Sequence, residues 1–577
     1  MRLLRINTTF RGRRPLAVLT GTACAAALAA SAAGTHRSYA SPSAYVPSQL
    51  LAAARANPDH SFRVILQGAG LHGEAKAVSA VRASGATLGR SLRTISGASA
   101  TVDGKQLVRL ASTKGVAAIT VDQAVRLTDD GGDTTGNFSS TQQWPYAVKA
   151  PRAWAKAAKG KVPTPPSIAI VDSGVQANRA DFNDGASVLT QVTMVNTGTP
   201  NATGDGYGHG TFVAGIADGA AQGYTGTAPT VPIVSLDVLD DQGMGLTSDV
   251  IAACDWIVQN KDKYNIEVAN FSLQSSAPAS LFWDPLDKAV EKLWFDNVTV
   301  VASAGNYGTG DTPSGVLYAP GNDPFVITVG ADDIDGTVGT HNDTAAPWSA
   351  WGYTYDGFAK PEISAPGRYM VGPVPDDSTL ATTRPDSMVA PGYEELSGTS
   401  FAAPVVAGTA AYLLALNPKW KPDQVKGAIM LSAKAEPNAI PGSLGVGLVD
   451  VATATQVGGP PLGAPPNANA ALDKFVHPVP GAGPIPLFDT AAWQAAALKD
   501  PNWDAPTWNS KAWNQASWGS ASWGSASWGS ASWGSASWGS ASWGSSALAQ
   551  QLASSNASWG SASWGSATTA DVVSSSP

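Results

Sequence analysis

Ile168-Ala169-Ile170-Val171-Asp172-Ser173-Gly174 sets four apolar residues in a row, three of them β-branched, and stops them with a carboxylate and a Ser-Gly turn. A strand with one wet face alternates apolar and polar residues, so a continuous run of this kind reads as a strand buried on both faces. Similar runs recur within 231–239, 298–302 and 325–330, and helical patterns lie between them at 247–260 and 285–296. Strands alternating with helices predict an α/β fold over 141–455, with a mainly parallel sheet flanked by helices. The ligand site of such a sheet lies beyond the carboxyl ends of its strands. Asp172 stands at one of those ends.

Outward from this region the chemistry changes. Arg2, Arg5, Arg11, Arg13 and Arg14 precede an apolar run from Leu16 to about Ala33 that contains the small-residue site Ala30-Ser31-Ala32. The segment 1–40 therefore reads as an export signal, and a secreted, extracellular chain is expected. Residues 60–127 combine strand-like runs, Phe62-Arg63-Val64-Ile65-Leu66 and Ala117-Ala118-Ile119-Thr120-Val121, with a helical pattern at 74–84. That is a small α+β unit. The Gly/Asp/Thr-rich stretch 128–140 reads as an exposed linker, and the Pro/Gly/Ala-rich stretch 456–500 as a semi-rigid one.

The tail, 501–577, spaces Trp503, Trp508, Trp513, Trp518 and their successors five residues apart, most of them in Ser-Ala-Ser-Trp-Gly units. Small polar residues between the rings build no core. A flexible tail that binds a surface such as cell-wall glycan is expected, and a short solenoid is the alternative.

Charged residues make up 14% of the chain and the net charge is −8, which gives nucleic acid no basic stripe to bind. Of the two cysteines, Cys24 falls in the export signal, so Cys254 is left without an internal disulfide partner. A monomer is expected.

A general base working near neutral pH is the scarcest part of a hydrolytic site. Of the six histidines, only His209 and His341 lie in the α/β region. His341, in Thr340-His341-Asn342-Asp343, reads as a surface residue. His209, in Gly208-His209-Gly210-Thr211, opens an apolar helical stretch, and its glycines allow close backbone approach to a substrate. Asp172 can fix the tautomer of a histidine. Ser400, in Gly398-Thr399-Ser400-Phe401-Ala402-Ala403-Pro404, starts a long apolar helix whose N–H groups and positive dipole end would face developing negative charge. Asn306, in Ala304-Gly305-Asn306 after an apolar run, can donate an amide hydrogen to an oxyanion. Each alone has an ordinary reading as a cap or turn residue.

Together, Val-Asp-Ser-Gly, Gly-His-Gly-Thr-Phe-Val-Ala-Gly, Ala-Gly-Asn and Gly-Thr-Ser-Phe-Ala-Ala-Pro resemble the motifs of the subtilisin-like serine proteases, in the family's chain order. The resemblance covers about 142–455. It implies Asp172, His209 and Ser400 as catalytic triad, Asn306 at the oxyanion, and substrate contacts from Ser272, Leu273, Gln274 and Gly305. It further implies a serine endopeptidase acting on proteins or peptides, with no cofactor for the chemistry. The unit 60–127 would then be an inhibitory propeptide of a self-processing zymogen, cut within the linker.

Two departures from the family pattern stand out. Gln274-Ser275 replace two pocket glycines, which puts a preference for large apolar side chains in doubt. Gln142 and Asp181 match two ligands of the family's tight calcium site, yet the segment 209–229 is shorter than the loop that carries the other ligands; structural calcium is left open. A surface scaffold built on the same fold is the competing function, though a scaffold has no need of all four site residues. An esterase of the α/β-hydrolase type would require a Gly-x-Ser-x-Gly elbow, which is absent around Ser400.

Overall fold

The computed structural model describes residues 44–127, 142–157, 163–229, 231–478 and 484–499. The export signal, the linker 128–140 and the tryptophan repeats lie outside the described residues.

The amino-terminal unit carries β1 (Ser61–Gly68), α1 (Gly73–Ser84), β2 (Thr87–Leu92), β3 (Gly97–Asp103), α2 (Gly104–Ala111), β4 (Val116–Val121) and β5 (Ala124–Leu127). Its first four strands form a sheet in the order β2-β3-β1-β4. β1 is buried on both faces for opposite reasons. Val64 and Leu66 fill the unit's own core with Val81, Val102, Leu107 and Ile119, whereas Ile65 points the other way into the large core of the chain. α2 begins with a reciprocal cap in which Asp103 accepts from the Gln106 backbone and the Gln106 side chain accepts from the Asp103 N–H.

The large core surrounds an eight-stranded sheet. Its strands are β6 (Ser167–Asp172), β7 (Val188–Thr193), β8 (Ile233–Asp237), β10 (Ile266–Phe271), β12 (Thr299–Ser303), β13 (Ile327–Asp333), β14 (Thr344–Ala345) and β15 (Ile363–Pro366), in the order β14-β13-β12-β10-β6-β8-β7 with β15 also on β13. β9 (Met244–Leu246) and β11 (Leu273–Ser275) lie outside it. Every ladder of the large sheet is parallel except β13 with β14. The α/β fold with a mainly parallel sheet, expected from the apolar runs, is what forms. Every residue of β6, β8 and β12 is buried, as those runs require, while the edge strand β7 alternates half-buried and exposed residues.

Helices α3 (His209–Asp218), α4 (Thr247–Tyr264), α5 (Pro285–Phe295), α6 (Thr399–Leu416) and α7 (Pro422–Ser432) cover the sheet. Among the described residues only α6 has the length and apolarity to cross a membrane, and 94% of it is buried inside the protein, so it is the core helix. Cys254, on α4, is also fully buried.

The stretch 456–500 departs from the linker expectation. Leu472, Phe475, Phe488 and Trp493 belong to the large core, where Trp493 stacks on Phe358 with ring centroids 5.1 Å apart. Asn469 donates to the Phe325 carbonyl and to Asp423 and accepts from Lys426. Aromatic rings spaced through a Pro/Gly background bury enough apolar area to dock without any periodic pattern.

Candidate active site

Three neighbouring parallel strands, β12, β10 and β6, end on the same side of the sheet, and the residues that follow them build the site. Asp172 is the last residue of β6 and fully buried. Its Oδ1 lies 2.8 Å from His209 Nδ1 and also accepts from the Ser173 N–H at 2.8 Å. His209 is the first residue of α3 and is likewise fully buried. A carboxylate facing Nδ1 places the ring proton there and leaves Nε2 as the basic nitrogen.

The glycines around His209 allow close internal packing. A Cβ on Gly210 would sit 2.1 Å from the Gly174 carbonyl oxygen, and one on Gly208 2.6 Å from Ser378 Oγ. The turn after Asp172 and the start of α3 therefore close on one another with no room for a methyl group.

Asp205, which sequence reading missed, holds that turn. Its Oδ1 accepts from Ser173 Oγ (2.8 Å) and the Gly208 N–H (2.7 Å), and its Oδ2 from the N–H (2.7 Å) and hydroxyl (2.6 Å) of Thr211. The Gly208 N–H belongs to the residue that caps α3 and the Thr211 N–H to its first turn, where intrahelical acceptors are lacking. Burial pushes the Asp205 carboxyl up to about 6, against the pull of its four donors. The signal was an acidic residue four positions before a helix start.

Ser400 is the second residue of α6, and Phe401 beside it lies 5.3 Å, centroid to centroid, from the His209 ring. Pro404 explains how the backbone at Ser400 is held. Proline has no N–H, so the Ser400 carbonyl four residues earlier loses its helical donor. Ser272 Oγ donates to that carbonyl instead at 2.7 Å, and Asn270 Nδ2 in turn donates to Ser272 Oγ at 2.9 Å. The Ser400 hydroxyl lies 3.1 Å from the Ser272 carbonyl oxygen.

Asn306 follows β12. Its Oδ1 accepts from both the N–H (3.0 Å) and the hydroxyl (2.8 Å) of Thr399, while Thr399 Oγ1 accepts from the Gly305 N–H at 3.0 Å. Two donors on one atom identify it as the carbonyl oxygen, so the other end of the amide is a donor held beside Ser400. Thr399 thus aims Asn306, a role that its place beside Ser400 did not disclose.

Leu273, Gln274 and Ser275 form β11, which pairs antiparallel with β5 of the amino-terminal unit, and β9 flanks β5 on its other side. Leu127 faces Leu273 and Arg126 faces Gln274. The unit docks through more than this strand. Asp122 accepts from the Ser248 N–H and hydroxyl at the start of α4, Asp255 accepts from the N–H groups of Arg93 and Thr94, and Tyr45 stacks on Trp283 at 4.1 Å. Beside β11, Gln274 and Tyr307 crowd Gly305: a Cβ there would lie 2.6 Å from Gln274 Oε1 and 2.4 Å from a Tyr307 ring carbon.

Gln142 and Asp181 do not fit a shared calcium site. The Asp181 carboxylate meets the Arg179 guanidinium at 3.0 Å and accepts from the Tyr393 hydroxyl at 2.8 Å. Gln142 Oε1 accepts from Trp144 Nε1, and its amide reaches toward the Gly223 carbonyl. An arginine supplies the positive charge that the ion would have brought.

A buried Asp–His pair at the carboxyl ends of parallel strands, with a serine at a helix start and an amide donor beside it, defines the subtilisin-type serine peptidases. The Subtilase family (Peptidase_S8) matches residues 164–447. The subtilisin of Bacillus pumilus is 32% identical over 321 residues, 55% of this chain and 100% of that protein. The serine protease AprX of Bacillus subtilis (strain 168) is 34% identical over 269 residues, 45% of this chain and 59% of AprX. Fervidolysin from Fervidobacterium pennivorans, described as a keratinolytic enzyme related to subtilisin, shares the fold with a TM-score of 0.52 at 22% identity, over 69% of this chain and 61% of that one. The chain belongs to the subtilase family, whose members are serine-type endopeptidases.

Proposed function

We propose that the chain is a secreted, self-processing serine endopeptidase with Asp172, His209 and Ser400 as its triad. The observation that carries this reading is the fully buried 2.8 Å contact between His209 Nδ1 and Asp172 Oδ1, with the helix that bears Ser400 packed against the same ring. His209 Nε2 takes the hydroxyl proton as Ser400 Oγ attacks a peptide carbonyl carbon, and Asp172 stabilises the imidazolium. The tetrahedral oxyanion accepts from Asn306 Nδ2 and the Ser400 N–H. His209 then protonates the leaving amine, and water releases the acyl group through the same base.

The same arrangement supports processing of the chain itself. β5 lies between β9 and β11, and its last residue, Leu127, faces Leu273, next to Ser272, whose carbonyl accepts from the Ser400 hydroxyl. The bond cut would then lie within the linker expected from sequence, between about Leu127 and Gln142. The unit 60–127 would act as intramolecular inhibitor, the leader at 1–40 supports export, and the tryptophan tail would contact cell-wall glycan. A fluorophosphonate probe added to the processed enzyme should modify Ser400, located by peptide mapping, and should not modify the His209→Ala chain. A processed, folded chain that takes up no probe would leave the scaffold reading standing.

Crowding of Gly305 by Gln274 and Tyr307 supports a narrow side-chain pocket, which would suit small residues before the cleaved bond. Gln274→Gly should raise kcat/KM for substrates with phenylalanine at that position by about 10–200-fold relative to alanine. An unchanged ratio in a peptide panel would place the pocket elsewhere.

A further inference from the structure

We propose that Asp332, Asp343 and Glu436 form a site for a hard divalent cation of calcium size, at the carboxyl end of β13. One carboxylate oxygen from each lies within 4.8 Å of the other two, which lets a single ion reach all three at the about 2.3–2.6 Å of calcium–oxygen bonds. Asp332 supplies a second, separate observation. It is fully buried, and no donor from outside the group reaches either of its oxygens among the described residues. Asp343, 1% exposed, has its Oδ1 in the same condition, as Glu436 has both of its oxygens. A buried carboxylate without donors is costly unless a cation or a proton compensates it.

The bordering cations make their direct contacts with other groups, and Lys434 and His341 act on the carboxylates only through space. Arg368 Nη1 pairs with Asp333 Oδ2 at 2.6 Å, and Lys434 Nζ donates to the Ala147 carbonyl. The loops that bring the second and third ligands are tied to one another, by Thr340 Oγ1 to the Ala435 carbonyl at 3.0 Å and by Asn438 Nδ2 to the His341 carbonyl. Asp332 itself is fixed by the β13 ladders to β14 and β15. A rigid strand and two coupled loops thus hold three oxygens together before any ion arrives. The site is distinct from the Gln142–Asp181 pair, whose side chains are already engaged.

The test uses the full chain carrying Ser400→Ala, so that autolysis does not blur the reading. After chelation and dialysis, titration with calcium chloride should show an ion that the Asp332→Asn and Glu436→Gln variants bind at least about tenfold more weakly. Calcium should also raise the Tm of the parent and not that of the variants. Binding that is equal in parent and variants would overturn the proposal. So would an absence of calcium binding, which would mean that a shared proton compensates the group. Should both variants fail to fold, an anomalous difference map from a calcium-soaked crystal of the parent decides: a peak among the three carboxylates supports the site, and a featureless map overturns it.

Discussion

Ser400→Ala or His209→Ala should lower the turnover of a small peptide substrate by about a million-fold, the loss known for the subtilisin triad and carried over here. The chain should also keep its uncut mass when either variant is expressed alone, because the nucleophile or the base for its own maturation is gone. Asn306→Leu should cost about 10²–10³, again the range for a subtilisin oxyanion donor, with little change in KM. Leucine also removes the acceptor that Thr399 uses on both its N–H and its hydroxyl. Asn306→Asp separates the two roles, since it keeps an acceptor for Thr399 and lacks the donor. If the loss arises from donation, the aspartate variant will do no better than the leucine one. Near-normal hydrolysis by Ser400→Ala would end the triad assignment at once.

Ending the chain after Thr455 should abolish folding, whereas ending it after Lys499 should leave peptide hydrolysis intact. The sequence suggests that both cuts fall outside the catalytic unit, and the packing says otherwise. Removal of 456–499 takes Leu472, Phe475, Phe488 and Trp493 out of the core, each at most 9% exposed. Losing a buried Leu, Phe or Trp side chain costs about 2–5 kcal/mol. Four such losses rival the whole stability of a folded domain, about 5–15 kcal/mol. Asp423, Lys426 and the Phe325 carbonyl would lose Asn469 as well. Circular dichroism and hydrolysis of a small peptide, measured on both truncations, decide it. A folded, active chain ending at Thr455 would show the packed segment to be dispensable.

What could be read from the sequence follows from how directly local patterning reports burial. β6, β8, β12 and β13 overlap largely apolar runs because both of their faces are covered, and Asp172 stands out as the polar residue that ends one of them. β7 escaped notice because it is an edge strand of alternating residues in a polar stretch. His209, Asn306 and Ser400 are framed by short motifs in which every neighbour has a steric task, such as Gly210 against Gly174 or Pro404 freeing the Ser400 carbonyl. Asp205 and Thr399 act through hydrogen bonds whose partners no spacing rule points to. The bond from Tyr393 to Asp181 and the convergence of Asp332 and Asp343 with Glu436 depend on how segments far apart in the chain come together.

The place of β5 between β9 and β11 has a kinetic consequence. While it stays joined to the rest of the chain, this strand meets the cleft at an effective concentration of about millimolar order, as a short tether provides. A protein substrate present at micromolar concentration would compete at a disadvantage of roughly a thousand to one. On the proposed reading, the uncut molecule would hold a complete constellation of reacting groups and still ignore the proteins around it. On the proposed maturation, cutting the tether would turn a unimolecular contest into a bimolecular one, which dilution would then settle.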